Sequence, residues 1–268
     1  MTDTDETAGD ATPKKSKTRW IKWVVLGGIG AVVLLFAGIF VYANFINDSP
    51  DALDETDLSN ALTATTEPQV TEPTSSTEPT ATTEVPNTDA PTSGAGFDGD
   101  WVPTTASEFG YRVDEVIAGV NVTTVGRSNE IDGLLTIDGT TATAVDIGVM
   151  IENITSDDSQ RDAQFRGRIM SADEFPTATF SLTEPIEFGE IPTDRSQVVA
   201  TANGELTLRG VTNPVTFDVT AETNRDRIGV LGSIPVLFED YGIDNPSFGV
   251  VSTEDDGLVE FVLVFERP

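Results

Sequence analysis

Gly204 to Val219, GELTLRGVTNPVTFDV, alternates apolar and polar residues on both sides of a tight corner. Leu206-Thr207-Leu208 and Val215-Thr216-Phe217-Asp218-Val219 keep the period of two that turns one face of a strand toward a core or cavity. Between them, Arg209-Gly210-Val211-Thr212-Asn213-Pro214 makes the corner. Glycine there supplies backbone freedom, and proline, which cannot donate to a ladder, suits a strand start or an edge. By itself the segment specifies an antiparallel hairpin in an all-β domain.

The same pattern recurs from Asp100 to the end of the chain. Candidate strands are Tyr111 to Val116, Ala118 to Val125, Glu130 to Ile137, Thr141 to Ile154, Thr177 to Thr183, Gln197 to Leu208, Asn213 to Glu222, Asp226 to Phe238 and Gly257 to Phe265. Turn pairs such as Asp138-Gly139, Asn203-Gly204 and Asp256-Gly257 separate them, which predicts an antiparallel barrel or sandwich. In the last strand Val259, Phe261, Leu263 and Phe265 share a face, yet Val262 and Val264 make the opposite face apolar too. Such a strand divides two apolar regions, one an interior and the other a patch under a helix or a partner subunit. Ser156 to Ala172 breaks the alternation, with Ala163, Phe165 and Ile169 at helical spacing after Ser and Asp, and predicts one short helix.

Upstream the composition changes abruptly. Residues 1–22 are polar, with Lys14, Lys15, Lys17, Arg19 and Lys22 close before an uncharged run of 23 residues, Trp23 to Phe45. At about 1.5 Å per residue that run makes a helix of roughly 35 Å, enough for a hydrocarbon core of about 30 Å. It predicts a single-pass transmembrane helix in the cell membrane, with the N-terminus cytoplasmic and the rest extracytoplasmic by the positive-inside bias. A cleaved signal peptide is the competing reading, with Val41-Tyr42-Ala43 as its cleavage site. Residues 46–99 are rich in Thr, Pro, Ser and Glu and predict a disordered linker, a tether of about 40 Å root-mean-square span. Residues 100–268 form the folded domain.

Several chemistries are excluded or demoted. The chain has no Cys and no His, and no Lys follows Lys22, which removes nucleophilic triads, Schiff bases and zinc sites. Residues 100–268 carry ten arginines against thirty acidic side chains, so nucleic acid is not expected as a partner. Paired carboxylates such as Asp162 and Asp173 leave acid–base hydrolysis as the last-ranked reading. The acidic run at Glu254 to Asp256 lacks a calcium-loop spacing, so no metal, cofactor or catalytic residue is expected.

Two linked blocks carry a resemblance. Arg161-Asp162-Ala163-Gln164-Phe165 with Ser171-Ala172-Asp173-Glu174-Phe175-Pro176-Thr177-Ala178-Thr179-Phe180, and Leu206 to Val215 (LTLRGVTNPV), are similar to the signature segments of YceI-like proteins. Tyr111-Arg112-Val113-Asp114 and Asp240-Tyr241-Gly242-Ile243 resemble two further blocks, in the right order. The resemblance implies a lipocalin-like antiparallel β-barrel of about eight strands around an elongated apolar cavity, which has room for one slender ligand. It further implies an exported protein holding an isoprenoid or similar lipid, often as a homodimer. Two positions depart from the family pattern: Val116-Ile117-Ala118 where a histidine is usual, and Phe238 where an arginine is common.

On this reading the candidate ligand-binding residues are Arg161, Asp162, Phe165, Phe180, Phe217 and Phe238. Arg161 would offer its donor fork to a ligand oxygen at the cavity mouth, or, with Asp162, pin the helix through a salt bridge and a cap. The alternative to a lipid holder is a surface structural or protein-interaction module, its barrel filled with side chains and displayed on the tether.

Overall fold

The computed structural model describes residues 17–41, 49–64, 96–192 and 195–268. The chain divides into two units, Met1–Asn47 and Asp48–Pro268. In the first, helix α1 spans Lys17–Val41 and exposes apolar side chains such as Trp23, Leu26 and Leu34. Among the described residues no helix is long and apolar enough to cross a membrane. The expected span, Trp23 to Phe45, runs past Val41 into residues outside those described.

The second unit is a closed barrel. Its strands are β1 (Gly99–Pro103), β2 (Glu108–Ile117), β3 (Val120–Ser128), β4 (Ile131–Asp138), β5 (Thr141–Met150), β6 (Thr177–Glu184), β7 (Ile186–Glu187), β8 (Gln197–Leu208), β9 (Val211–Asn224), β10 (Arg227–Leu237), β11 (Val251–Thr253) and β12 (Asp256–Glu266). Eight of them close a ring in the order β1-β4-β5-β6-β8-β9-β10-β12, because β12 returns to β1 through Val102↔Glu266. On the same edge of β12, nearer its start, β2 pairs from Leu258↔Arg112 to Val262↔Glu108. The β2–β3 hairpin therefore runs beyond one end of the ring, where β11 joins it through Val251↔Ile117. That end also holds the short helix α3 (Ser159–Gln164) and is called the α3 end; the opposite end is where β5, β8 and β10 begin.

The β8–β9 hairpin is tighter than its sequence suggests. Leu208 pairs with Val211, so only Arg209 and Gly210 turn the chain, and both have positive φ, +49° and +74°. Two positive-φ residues give the mirror-image turn whose twist matches the flanking strands. A Cβ at Gly210 would also stand 2.6 Å from the Phe175 ring, so shape and backbone both select glycine. Pro214 lies inside β9, opposite Glu205. It is tolerated because β9 meets β10 only from Val219 onward, leaving the proline's other side unpaired. The expected helix over Ser156 to Ala172 is shorter, running as α3 from an Asp158 cap whose Oδ1 accepts from Gln160 N at 2.7 Å, then as a π-turn over Phe165–Ile169.

The expectation of a disordered linker over residues 46–99 is corrected for residues 49–64. They form a strap along the outside of the barrel, ending in helix α2 (Glu55–Thr63). Asp54 starts that helix with a reciprocal cap, accepting from Asp57 N at 3.1 Å while Asp57 accepts from Asp54 N at 3.0 Å. Leu58 and Leu62, one turn apart, are 0% and 2% exposed and pack on Val262, Val264 and Leu231. The second apolar face of the last strand is thus covered by a helix from the chain's own linker. Two buried carboxylates fix the strap further. Glu260 accepts from Arg112 Nε at 3.1 Å, from Arg127 and from Leu53 N. Glu222 accepts from Ser59 Oγ at 2.7 Å, from Arg195 and from Gln197.

The strap also revises what the acidic Thr/Pro-rich stretch connects. Ala64 O accepts from Arg227, and Gly96 O accepts from Arg267 at 2.6 Å. Arg227 pairs with Glu266, the neighbour of Arg267, so both carbonyls lie at the end of the barrel opposite α3. Residues 65–95, which lie outside the described residues, therefore join two points of the barrel and do not separate it from the apolar run upstream.

Candidate ligand site

The inward residues of the eight strands surround a cavity of about 280 Å³, close to the lower end of the roughly 300–1,000 Å³ common for small-molecule sites. Its wall follows β5 from Thr141 to Ile151 just beyond the strand. Ten residue steps are about 33 Å along a strand, or about 25 Å along the axis at the tilt usual for such barrels. A small volume spread over that length means a slender channel. The interior is thus open, against the filled barrel of the alternative reading.

Alternation places the lining. On β12, Val259, Phe261, Leu263 and Phe265 face inward while Glu260, Val262 and Val264 face the strap. Midway, Phe180 and Phe217 meet edge to face with centroids 5.5 Å apart, and Phe217 meets Phe261 likewise at 6.1 Å. The Phe180 ring reaches over Gly204, two residues from its ladder partner Leu206 in β8, where a Cβ would come within 2.4 Å of the ring. Nearly all the lining is apolar, and among the described residues charged side chains stand only toward the ends: Glu115 and Arg161 at the α3 end, Glu190 at the other.

Five of the six candidate residues line the cavity: Arg161, Phe165, Phe180, Phe217 and Phe238. Phe238, where the family often has arginine, is buried and extends the apolar wall. Arg161 donates Nη1 to Asp157, four residues earlier. Asp162 is placed elsewhere. It is buried, and its Oδ1 accepts from Ser156 N at 2.8 Å and Ser156 Oγ at 2.6 Å, so it pins the loop entering α3 and does not line the cavity. The physical reason is helix phase: adjacent residues point about 100° apart, and only one of the pair can face the channel.

Sequence reasoning missed two groups at the α3 mouth. Tyr111 stacks on Phe165 with centroids 4.5 Å apart. Glu115 accepts from Thr124 Oγ1 at 3.0 Å and from Thr253 Oγ1 at 3.1 Å, which satisfies a carboxylate turned toward apolar space. Burial pushes the Tyr111 phenol well above its ordinary range, with the carboxylates of Asp162 and Glu115 adding to the rise and the Arg161 charge opposing it. The Tyr111 signal was legible, since an inward-facing tyrosine follows from the alternation of β2. Among the described residues no group of acidic side chains is arranged to hold a metal ion.

The comparisons with known proteins agree with this geometry. A solved polyisoprenoid binding domain from Saccharophagus degradans, implicated in plant cell wall breakdown, superposes with a TM-score of 0.51 at 16% identity, covering 63% of this chain and 99% of that one. A UPF0312 protein of Pseudomonas aeruginosa is 32% identical over 127 residues, 44% of this chain; the match spans 62% of that relative's length. A UPF0312 protein of Shewanella sp. is 28% identical over 161 residues, covering 53% of this chain and 81% of the relative. The family model described as the YceI-like domain matches residues 101–265, nearly the whole barrel, and the chain therefore belongs to the YceI-like family.

Proposed function

We propose that this protein is a membrane-anchored, extracytoplasmic carrier that holds one long isoprenoid-type lipid in its barrel and does not turn it over. The observation that carries the reading is the channel itself: slender, open and apolar, with charges only near its ends. Length follows from energetics. Each buried methylene contributes about 0.8 kcal/mol, whereas association costs roughly 4–15 kcal/mol, so a short chain gains too little and a chain filling the barrel binds. At the α3 mouth a single arginine, itself engaged by Asp157, faces Glu115 and Tyr111. That mouth suits an uncharged or singly charged polar head and not a pyrophosphate, which calls for several cations.

The anchor rests on the sequence. The uncharged run Trp23 to Phe45 follows a basic cluster, and the described part of α1 leaves its apolar side chains exposed. Native mass spectrometry of the full chain in detergent, followed by lipid extraction, tests the function. We expect one bound chain per barrel, longer than about ten carbons. Barrel purified from its own membranes with no lipid mass would sink the proposal, and so would a ligand displaced by short fatty acids.

A further inference from the structure

At the α3 end two hairpin tips stand side by side. One is Ala118-Gly119 between β2 and β3. The other is Gly249-Val250, closed by reciprocal bonds of 3.0 Å between Phe248 and Val251. Ala118 N donates to Val250 O at 2.9 Å, which locks the tips together. They form an apolar surface: Phe248 is 80% exposed, Val250 63%, and Ile117 and Val120 are half-buried beside them. No charged residue occurs from Val116 to Gly126 or from Asn245 to Thr253, in a domain where acidic side chains outnumber basic ones threefold. An aromatic ring left in water at the crest of two uncharged turns marks an interaction surface.

Chain length identifies the occupant. The strap begins at Ser49, whose Oγ donates to the Thr123 carbonyl on β3. Thr123 lies four residues from Gly119, about 13 Å along the strand from the tip. Phe45, the last residue of the uncharged run, precedes Ser49 by four residues, about 14 Å of chain at full stretch. The two lengths match, so the end of a membrane span and the paired tips can reach the same plane. The tips stand at the end of the barrel where Tyr111, Glu115 and Arg161 line the cavity.

We infer that the paired tips, Ala118–Val120 and Phe248–Val250, insert into the interface of the bilayer that carries the chain's own N-terminal run, so that the α3 mouth loads lipid directly from that leaflet. This rests on the anchored reading above. Insertion of a few apolar side chains by about 5–10 Å needs no basic surface, in keeping with the acidity of the domain. The partner is the bilayer, and a second copy or a soluble protein on the same tips is an alternative outcome.

Because the chain has no cysteine, Val250→Cys gives a single labelling site. The full chain carrying an environment-sensitive dye there is reconstituted into phosphatidylcholine vesicles, with and without nitroxide-labelled acyl chains, beside Val199→Cys, whose site is 64% exposed on β8. We expect several-fold stronger nitroxide quenching at position 250 than at 199. We also expect Phe248→Asp with Val250→Asp to slow lipid uptake from vesicles about tenfold without lowering the melting temperature. Equal quenching in protein that resists a carbonate wash would overturn the inference and leave the anchor standing. Release by carbonate would overturn the anchored reading and the inference together. A dye shielded in proportion to protein concentration, without nitroxide quenching, would assign the tips to a second copy and overturn the bilayer.

Discussion

The two faces of β12 have almost the same apolar character and opposite fates. Outward, Val262 and Val264 disappear beneath Leu58 and Leu62, and Glu260 between them and the strand's start is held by two arginines. Inward, Val259, Phe261, Leu263 and Phe265 border open space. Alternation says which residues share a face and is silent on what covers that face. A face filled by the chain's own helix holds the structure together, and a face left open is available to a ligand. The outer face should accordingly carry stability with no effect on lipid, and the inner face the reverse.

The largest effect is expected at Glu260. Removing it leaves Arg112 and Arg127, both mostly buried, without their shared carboxylate. Glu260→Ala should lower unfolding free energy by about 3–5 kcal/mol, the range for breaking a buried ion pair from one side. Leu58→Ala comes next, at about 2–5 kcal/mol for a fully buried leucine, read from denaturant midpoints. Both variants should still bind lipid under conditions where they are folded. If either lost lipid while its midpoint stayed unchanged, the division between the faces would be broken.

On the inner face the order reverses. Val149 on β5 borders the channel and is only half-buried. Val149→Trp should place its ring in open space, shift stability by less than about 1.5 kcal/mol and reduce lipid retention at least tenfold. Lipid per barrel by mass spectrometry, together with a melting curve, checks both halves. A tryptophan that melts the barrel would mean the interior is as closely packed as the outer face.

The barrel was legible because alternation, turn residues and the linked Arg161 and Leu206 blocks agree with one another. The strap was not, for a reason of scale. Averaged over residues 46–99, Thr, Pro and Glu outweigh two leucines, yet Asp54, Asp57, Leu58 and Leu62 together make a capped helix with an apolar stripe one turn long. The unexplained apolar outer face of β12 was the complementary clue, and pairing the two required long-range contact that no local window contains. In the site, the aromatic lining followed from alternation, whereas Asp162 could not be separated from Arg161 without knowing the phase of a six-residue helix.

The smallest effect sharpens how dry the inner face is. The Tyr111 phenol is raised chiefly by burial, so its folded-state ionisation lies above its ordinary value of 10.0. A raised pKa means the protonated form is favoured in the fold. Its contribution is fully present below pH 10 and is lost as pH climbs from there toward the folded value, by up to about 1.4 kcal/mol per pH unit. Between pH 9 and 11 the stability of the native barrel should therefore fall by about 1 kcal/mol more than that of Tyr111→Phe, which keeps the stack on Phe165 and has no proton to lose. Absorbance near 295 nm reports phenolate directly, and Tyr111 should contribute none while the barrel stays folded. Phenolate from Tyr111 at pH 10 in folded protein would mean that water enters freely at the α3 mouth. The inner face would then differ from the outer one by being wet as well as open.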